Sequence, residues 1–170
     1  LFRSCSASAG ARPFAPSFEA GTTNPIAGAY APLVIKVGRK DGEQELRSLD
    51  FTLPPGVSGK LAGIPYCSDS QIAEAEAKTG RAEQAGPSCP AASALGTVDT
   101  SAGVGSEPFH VGGKVYLAGP YKGAPLSSVV VTPAVAGPLD LGDVVVRAPL
   151  YVNPETAQLT ARSDPIPTIL

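Results

Sequence analysis

Three apolar runs, at residues 115–118, 126–135 and 144–152, constrain the fold of this chain more than any other feature of its sequence. They are rich in Val, Leu and Tyr, and short connections that contain Gly and Pro separate them. Strands joined by short connections usually pair antiparallel. The stretch therefore predicts an antiparallel sheet. Such a sheet needs a second layer over its apolar face, and the rest of the chain holds further strands for that purpose.

The composition agrees with many short strands and many turns in one domain. Gly (19) and Pro (18) make up more than a fifth of the 170 residues, but Val, Leu and Ile are too frequent for a disordered chain. Further strands are predicted at residues 30–38, 46–53, 94–100 and 157–163. A hairpin that turns at Gly112-Gly113 is predicted to join residues 109–111 to 114–118.

The segment from Cys67 to about residue 93 interrupts the β pattern. Residues 71–78 form the one good helical run, and Ser68 with Gln71 three positions later predicts a capping box at its start. Residues 80–86 are predicted to be a polar loop. We expect this helical insertion to lie on the outside of a β-sandwich of immunoglobulin-like or Greek-key type that spans residues 18–170. Residues 1–17 are predicted to be a linker or an extended arm.

The three cysteines are Cys5, Cys67 and Cys89, an odd number. Cys67 and Cys89 bracket the helical insertion, and a bridge between them would close a loop that the strands around it cannot easily hold. By the chain-entropy model such a bridge stabilises the fold by about 3 kcal/mol. A disulfide implies an oxidising compartment, and the alternative is two buried thiols in a cytosolic protein. Cys5 is then either free or paired outside this chain.

Charge and hydropathy argue against several classes of partner. Thirteen basic and fifteen acidic side chains give a net charge of −2, and neither sign is clustered. The sequence therefore predicts no binding to nucleic acid or to an anionic membrane surface. It also predicts no membrane insertion, because no apolar segment approaches the roughly twenty residues that a spanning helix needs. The chain starts at Leu1 and contains no Met, from which we expect a piece of a longer protein.

Motifs of catalysis and of cofactor binding are missing from this sequence. His110 is the only histidine, and no nucleophile stands beside it. There is no G-x-S-x-G elbow, no Walker loop and no dinucleotide fingerprint, and one His with three widely spaced Cys does not suit zinc. We predict no catalytic residue, no cofactor and no metal site. A hydrolase is the least favoured alternative, and it would need His110 beside a serine and a carboxylate in a pocket.

Two groups of acidic residues give a weak calcium signal. The first alternates along a turn and a strand, and the second flanks a Leu-Gly pair; their members are Asp41, Glu43 and Glu45, and Asp140 and Asp143. Carboxylates arranged in this way can bind a hard cation with help from carbonyl groups. The favoured interpretation is a pair of solvated turns, which would keep a sheet edge accessible to water.

Tyr121, beside Lys122 in the loop GPYKGAP, is the candidate for contact with a carbohydrate ligand. A sugar-binding module usually presents flat aromatic rings, and this chain has five Tyr and no Trp. Tyr121 is the tyrosine that we expect to be most exposed. Because one ring is a poor platform, packing of Tyr121 over a strand end is the favoured interpretation.

Four segments resemble parts of large exported proteins from high-GC soil bacteria: FEAGTTNPIAGAYAPL, LDFTLPPGVSGKLAGIPYC, SCPAASALGTV and GKVYLAGPYKGAPLSSVVVTPAVAGPLDLGDVVVRA. The resemblance covers most of the chain from Phe18 onward, and two cysteines at the positions of Cys67 and Cys89 are typical of that group. Related segments recur there within long secreted chains. The group has no known biochemical activity, so the resemblance assigns no catalytic residue.

These observations predict a non-catalytic structural or adhesive module of a larger protein that is secreted or displayed at the cell surface. Its expected partners are neighbouring domains of the same polypeptide, with surface glycans or other proteins as further candidates. The alternative function is that of a carbohydrate- or calcium-binding module.

Overall fold

The computed structural model describes residues 12–103 and 105–168. The chain divides into two compact units between Glu45 and Leu46. This division differs from the boundary after residue 17 that the sequence suggested, and the arm expected at residues 1–17 lies mostly outside the described residues. Cys5 lies outside them as well.

The first unit is built on one pair of antiparallel strands. β1 (Ser17–Thr22) pairs along its whole length with β2 (Leu33–Gly38). β2 lies within the strand predicted at residues 30–38, whereas β1 falls in a stretch for which no strand was predicted. Two strands alone bury little surface, and β1 is exposed throughout.

The second unit is a six-stranded antiparallel sheet with two short helices. In chain order its elements are β3 (Asp50–Thr52), α1 (Asp69–Ala77), α2 (Gly80–Ala85), a 3-10 turn (Ala91–Ser93), β4 (Ala94–Ala102), β5 (Phe109–Ala118), β6 (Leu126–Ala136), β7 (Leu139–Val152) and β8 (Leu159–Arg162). The strand order is β3-β8-β7-β6-β5-β4. Strands β4 to β8 thus form a meander, and β3, the first strand of this unit in the chain, pairs with the last strand, β8. The expected mainly β, antiparallel class is confirmed, with 42% strand and 12% helix, and one of the two sheets is curled.

Both faces of the six-stranded sheet carry buried side chains, because successive residues of a strand point to opposite faces. Tyr116 of β5 packs in a cluster with Ile72 of α1 and with the two cysteines of the insertion. Leu117, the next residue, packs instead with Leu150 and Ala161, and Leu61 and Ile64 pack against this second cluster. Leu117 is fully buried, and burial of such a side chain stabilises the fold by about 1.5–3 kcal/mol.

One face of the six-stranded sheet carries Tyr116 and is called the Tyr116 face. The layer that covers this face differs from the expected one. The sequence suggested that further strands would cover the sheet, but the helical insertion covers this face. The expected disulfide is confirmed: Cys67 and Cys89 are bonded to each other and both are buried in this layer. Assignment to the immunoglobulin-like sandwiches stays a prediction.

The insertion contains two helices where one was predicted. α1 starts with the expected capping box, in which the Ser68 hydroxyl accepts from the Gln71 amide and the Gln71 side chain accepts from the Ser68 amide. The expectation of a polar loop at residues 80–86 was wrong, because α2 forms there with Thr79 as its N-cap. No helix in the described part of the chain is long and apolar enough to cross a membrane.

The Gly112-Gly113 pair lies inside a strand and does not form a turn. β5 runs unbroken through both residues, so the hairpin predicted there was wrong. A Cβ at Gly113 would lie 2.5 Å from the carbonyl oxygen of Val131, whereas a Cβ at Gly112 would meet nothing within 4 Å. Gly113 is therefore needed for the close approach of β6.

This difference makes the glycine pair a matched test of strand packing. Gly113→Ala is expected to lower the free energy of unfolding by about 1–3 kcal/mol, because an added methyl group forces neighbouring backbone apart. Gly112→Ala, the control, is expected to leave it unchanged or raise it by a few tenths of a kcal/mol. Urea unfolding of both variants measures the difference. Equal stabilities would show that β6 does not approach Gly113 so closely.

Candidate functional site

Tyr121 lies in a bonded cluster at the end of β5. Its hydroxyl donates to Oδ2 of Asp164 at 2.6 Å, and the Lys122 ammonium donates to the other oxygen of the same carboxylate. The Arg147 guanidinium lies over the Tyr121 ring, with its Cζ 4.2 Å from the ring centroid. At least one ring face is therefore occupied by a neighbour within the chain. Contact of Tyr121 or Lys122 with a ligand stays a prediction.

Arg147 is the centre of this cluster, and the sequence analysis missed it. Its side chain is only 13% exposed. The guanidinium donates to the Ser127 hydroxyl at 3.0 Å, to the Asp69 carboxylate at 2.8 Å, and to the carbonyl oxygens of Gly119 and Pro120. The sequence feature that could have identified Arg147 is its position as a single cation inside the apolar run VVVRAPLYV. A half-buried strand rarely carries a charge without a partner. Arg147 joins β7, β6, the N-terminus of α1 and the loop after β5.

The ionisable groups of this cluster stabilise one another. Hydrogen bonding to Asp164 raises the pKa of Tyr121 and that of Lys122. Burial alone would raise the pKa of Asp164, but the hydrogen bonds from Lys122 and Tyr121 outweigh it, so the pKa of that carboxyl is lowered. The hydrogen bonds therefore favour a protonated phenol, an ammonium and an ionised carboxylate in this cluster.

A second polar cluster lies within the helical insertion. Glu83 of α2 is 2% exposed, and its carboxylate accepts from the amide and the hydroxyl of Ser88 at 2.8 and 2.6 Å. The Lys78 ammonium lies 3.6 Å from Glu83 and 2.7 Å from Glu74. These bonds satisfy a charge that would otherwise be costly to bury.

Asp140 and Asp143, one of the two calcium candidates, have separate roles in the structure. The Asp140 carboxylate accepts from the amides of Gly80, Arg81 and Gly142, and these bonds lower its pKa. It therefore anchors the start of α2 to β7. The Asp143 carboxyl is buried and accepts no hydrogen bond from the described residues.

No group of three or more Asp, Glu, His or Cys side chains within the described residues is arranged to hold a metal ion. In the other calcium candidate, Glu43 is buried and its carboxylate accepts from the amide of Lys40, three residues earlier. That bond closes a local turn.

His110 lies near a serine and a carboxylate, yet in the wrong arrangement for a catalytic triad. Its Nδ1 is 2.9 Å from Asp99 Oδ1 and 3.5 Å from Ser101 Oγ. A triad needs the two partners on opposite ring nitrogens. The His110 and Asp99 side chains are 65% and 68% exposed on neighbouring strands. This geometry does not support a serine hydrolase built on His110.

Among the shallow grooves on the described part of the second unit are two that the helical insertion helps to line. One, of about 240 Å³, is lined by Glu83, Tyr116 and Gly113 among others. The other, of about 210 Å³, is lined by Tyr66 and Asp69 at the start of the insertion. Tyr66 is 49% exposed, and it lines this groove together with Asp69. The expectation that Tyr121 is the most exposed tyrosine was wrong, because Tyr30 and Tyr66 are both more exposed than Tyr121.

Comparison with known proteins finds no matching family model and no significantly similar curated protein or solved structure.

Proposed function

We propose that this chain is a non-catalytic structural or adhesive module of a larger protein that is secreted or displayed at the cell surface. The observation that carries the proposal is the buried Cys67–Cys89 disulfide. A disulfide is consistent with an extracellular protein, because oxidising compartments preserve such bonds and the cytosol generally reduces them. This bridge joins the two ends of the helical insertion, and both cysteines pack in the cluster with Tyr116 of the sheet.

The polar clusters support the non-catalytic part of the proposal. Arg147, Asp140 and Asp164, three ionisable side chains with several bonds each, all join separate structural elements. Catalytic groups usually have an open side towards a substrate in a cleft. Here the bonds hold strands, helices and loops together.

Exposed apolar side chains support contact with neighbouring domains or other proteins. Several large ones lie in the first unit, and they are 37% to 80% exposed: Phe14, Phe18, Ile26, Tyr30, Leu33, Val34 and Ile35. Exposed apolar patches often mark surfaces that bind a partner. A two-stranded unit has little core of its own, so a neighbouring domain of the same polypeptide is the partner that we propose first.

Fractionation of cells that make the natural full-length protein tests this function. We expect the protein in the medium or the cell envelope, with Cys67 and Cys89 protected from alkylation until a reductant is added. Mass spectrometry of the alkylated peptides gives both thiol states. Recovery in the cytosol with both thiols free would contradict the proposal.

The Tyr66 groove favours carbohydrate binding as a second candidate function. Tyr66, which is half exposed, and Asp69, whose exposed carboxylate is paired with Arg147, line one groove. They offer a stacking surface and a hydrogen-bond acceptor, the two contacts that sugars commonly use. A glycan array probed with the wild-type chain and with Tyr66→Ala tests it. Binding that Tyr66→Ala abolishes and Tyr151→Phe retains would support this candidate, and an array without signal would reject it.

A further inference from the structure

A buried carboxyl without a hydrogen-bond partner lies where the helical insertion meets the β6–β7 hairpin. Both carboxylate oxygens of Asp143 are buried, and no described residue donates a hydrogen bond to them. Buried polar groups in folded proteins nearly always have a partner, because an unpaired one loses its hydration without compensation. Asp143 is therefore an exception that calls for a physical explanation.

The charges around Asp143 disfavour its ionised form. Glu83 faces it from α2 and Asp140 lies on its own strand, and both add to the effect of burial. Lys78, at the end of α1, opposes them, but its ammonium is already paired with Glu74 and with Glu83. Arg81 of α2 lies 4.0 Å from Asp140. Burial first, and then these two carboxylates, raise the pKa of Asp143 to about 6.

The contact around Asp143 leaves little space for an added charge to be solvated. A Cβ at Gly80, the first residue of α2, would lie 2.7 Å from Val135 of β6 and 3.0 Å from the carbonyl oxygen of Gly142. The amides of Gly80 and Arg81 donate to Asp140 across the same contact. Water can reach an ionised Asp143 only if this packing loosens.

We propose that the contact between the insertion and the β6–β7 hairpin is a pH-sensitive switch, tight when Asp143 carries a proton and looser when Asp143 is ionised. The direction in which stability changes with pH follows from the proton bound by the Asp143 carboxyl in the folded and the unfolded chain. Its ordinary pKa is 3.8 and its folded pKa is about 6, so between these values the folded chain keeps a proton that the unfolded chain has lost. The stability supplied by this group is present at low pH, falls as pH rises from about 4 through about 6, and stays constant above that.

Urea unfolding of the wild type and of Asp143→Asn between pH 4 and pH 8 tests the switch. Asparagine cannot ionise, so the two proteins should have similar unfolding constants at pH 4. At pH 8 the constant of Asp143→Asn should be about ten- to a hundredfold smaller than that of the wild type, since each unit of pKa shift is a factor of ten. Glu155→Gln, which removes an exposed carboxylate from the same unit, is the control. If the ratio of the two unfolding constants, wild type to Asp143→Asn, does not change with pH, the proposal is overturned.

Two measurements on the folded protein complete the test. A carbon-13 NMR titration of the wild-type Asp143 carboxyl should give a midpoint near 6, and a midpoint near the ordinary value of about 4 would overturn the proposal. Hydrogen exchange, corrected for intrinsic rates, should show protection of the Gly80 and Arg81 amides falling by about tenfold between pH 5 and pH 7.5. In Asp143→Asn this fall should be absent. The same fall in both proteins would show that another group controls the contact.

Discussion

Replacement of Cys67 and Cys89 together by alanine is expected to lower the free energy of unfolding of the second unit by about 3–5 kcal/mol. The bridge closes a loop with a sequence separation of 22 residues, for which the loss of loop-closure entropy in the unfolded chain is worth about 3 kcal/mol. The two side chains are also buried in the cluster between α1 and the sheet, and their truncation leaves space that the neighbours fill only in part. Urea unfolding followed by circular dichroism measures the loss.

The segments that lose protection first distinguish the loss of the disulfide from a general destabilisation of the fold. Hydrogen exchange should increase first in α1 and α2, because the bridge fixes both ends of the segment that contains them. Cys5→Ala is the matched control, since it removes a thiol and keeps the bridge. A double variant with the stability of the Cys5→Ala protein would show that packing alone holds the insertion.

Arg147→Ala is expected to lower the free energy of unfolding by about 2–4 kcal/mol. The change removes the donors that serve Ser127, Asp69 and two carbonyl groups. A hydrogen bond that involves a charged group contributes about 1.5–3 kcal/mol net, and the contributions of one side chain do not add in full. It also uncovers the ring of Tyr121. Arg147→Lys should recover only part of the loss, because an ammonium lacks the planar fork and stacks poorly on a ring.

Arg162→Ala provides the control for Arg147. Arg162 pairs with Asp50 at 3.1 Å, and the two side chains are 68% and 51% exposed. Exposed ion pairs contribute little to stability, so this variant should lose less than about 1 kcal/mol. Equal losses in Arg147→Ala and Arg162→Ala, measured by urea unfolding in the same buffer, would contradict the central role of Arg147.

Local sequence patterns predicted much of the second unit. The apolar runs at residues 126–135 and 144–152 lie within β6 and β7, because alternating buried positions and short Gly-Pro connections are local properties. The Ser68 and Gln71 capping box formed as expected for the same reason. The disulfide followed from two cysteines that bracket a segment unlike the rest of the chain.

Sequence patterns predicted less about the residues that meet at the candidate sites. Tyr121 and Lys122 were singled out by their loop, but their shared partner Asp164 is 42 residues away from Lys122 along the chain. Arg147 and Glu83 were passed over because a lone charge in a strand or helix does not reveal its partners. Gly112-Gly113 suggested a turn, and only the approach of β6 explains why glycine is needed inside β5.

The sequence by itself determined part of this structure: strands β6 and β7, the capped start of α1 and the disulfide. Each depends on residues that are close in the chain or on a chemical type that occurs only three times. The tertiary structure alone decided that a helical layer covers the Tyr116 face, that Arg147 joins four segments and that Asp143 is buried beside Glu83. These features depend on contacts between residues that are 20 or more positions apart. Burial and charge act through such contacts without leaving a periodic pattern in the sequence.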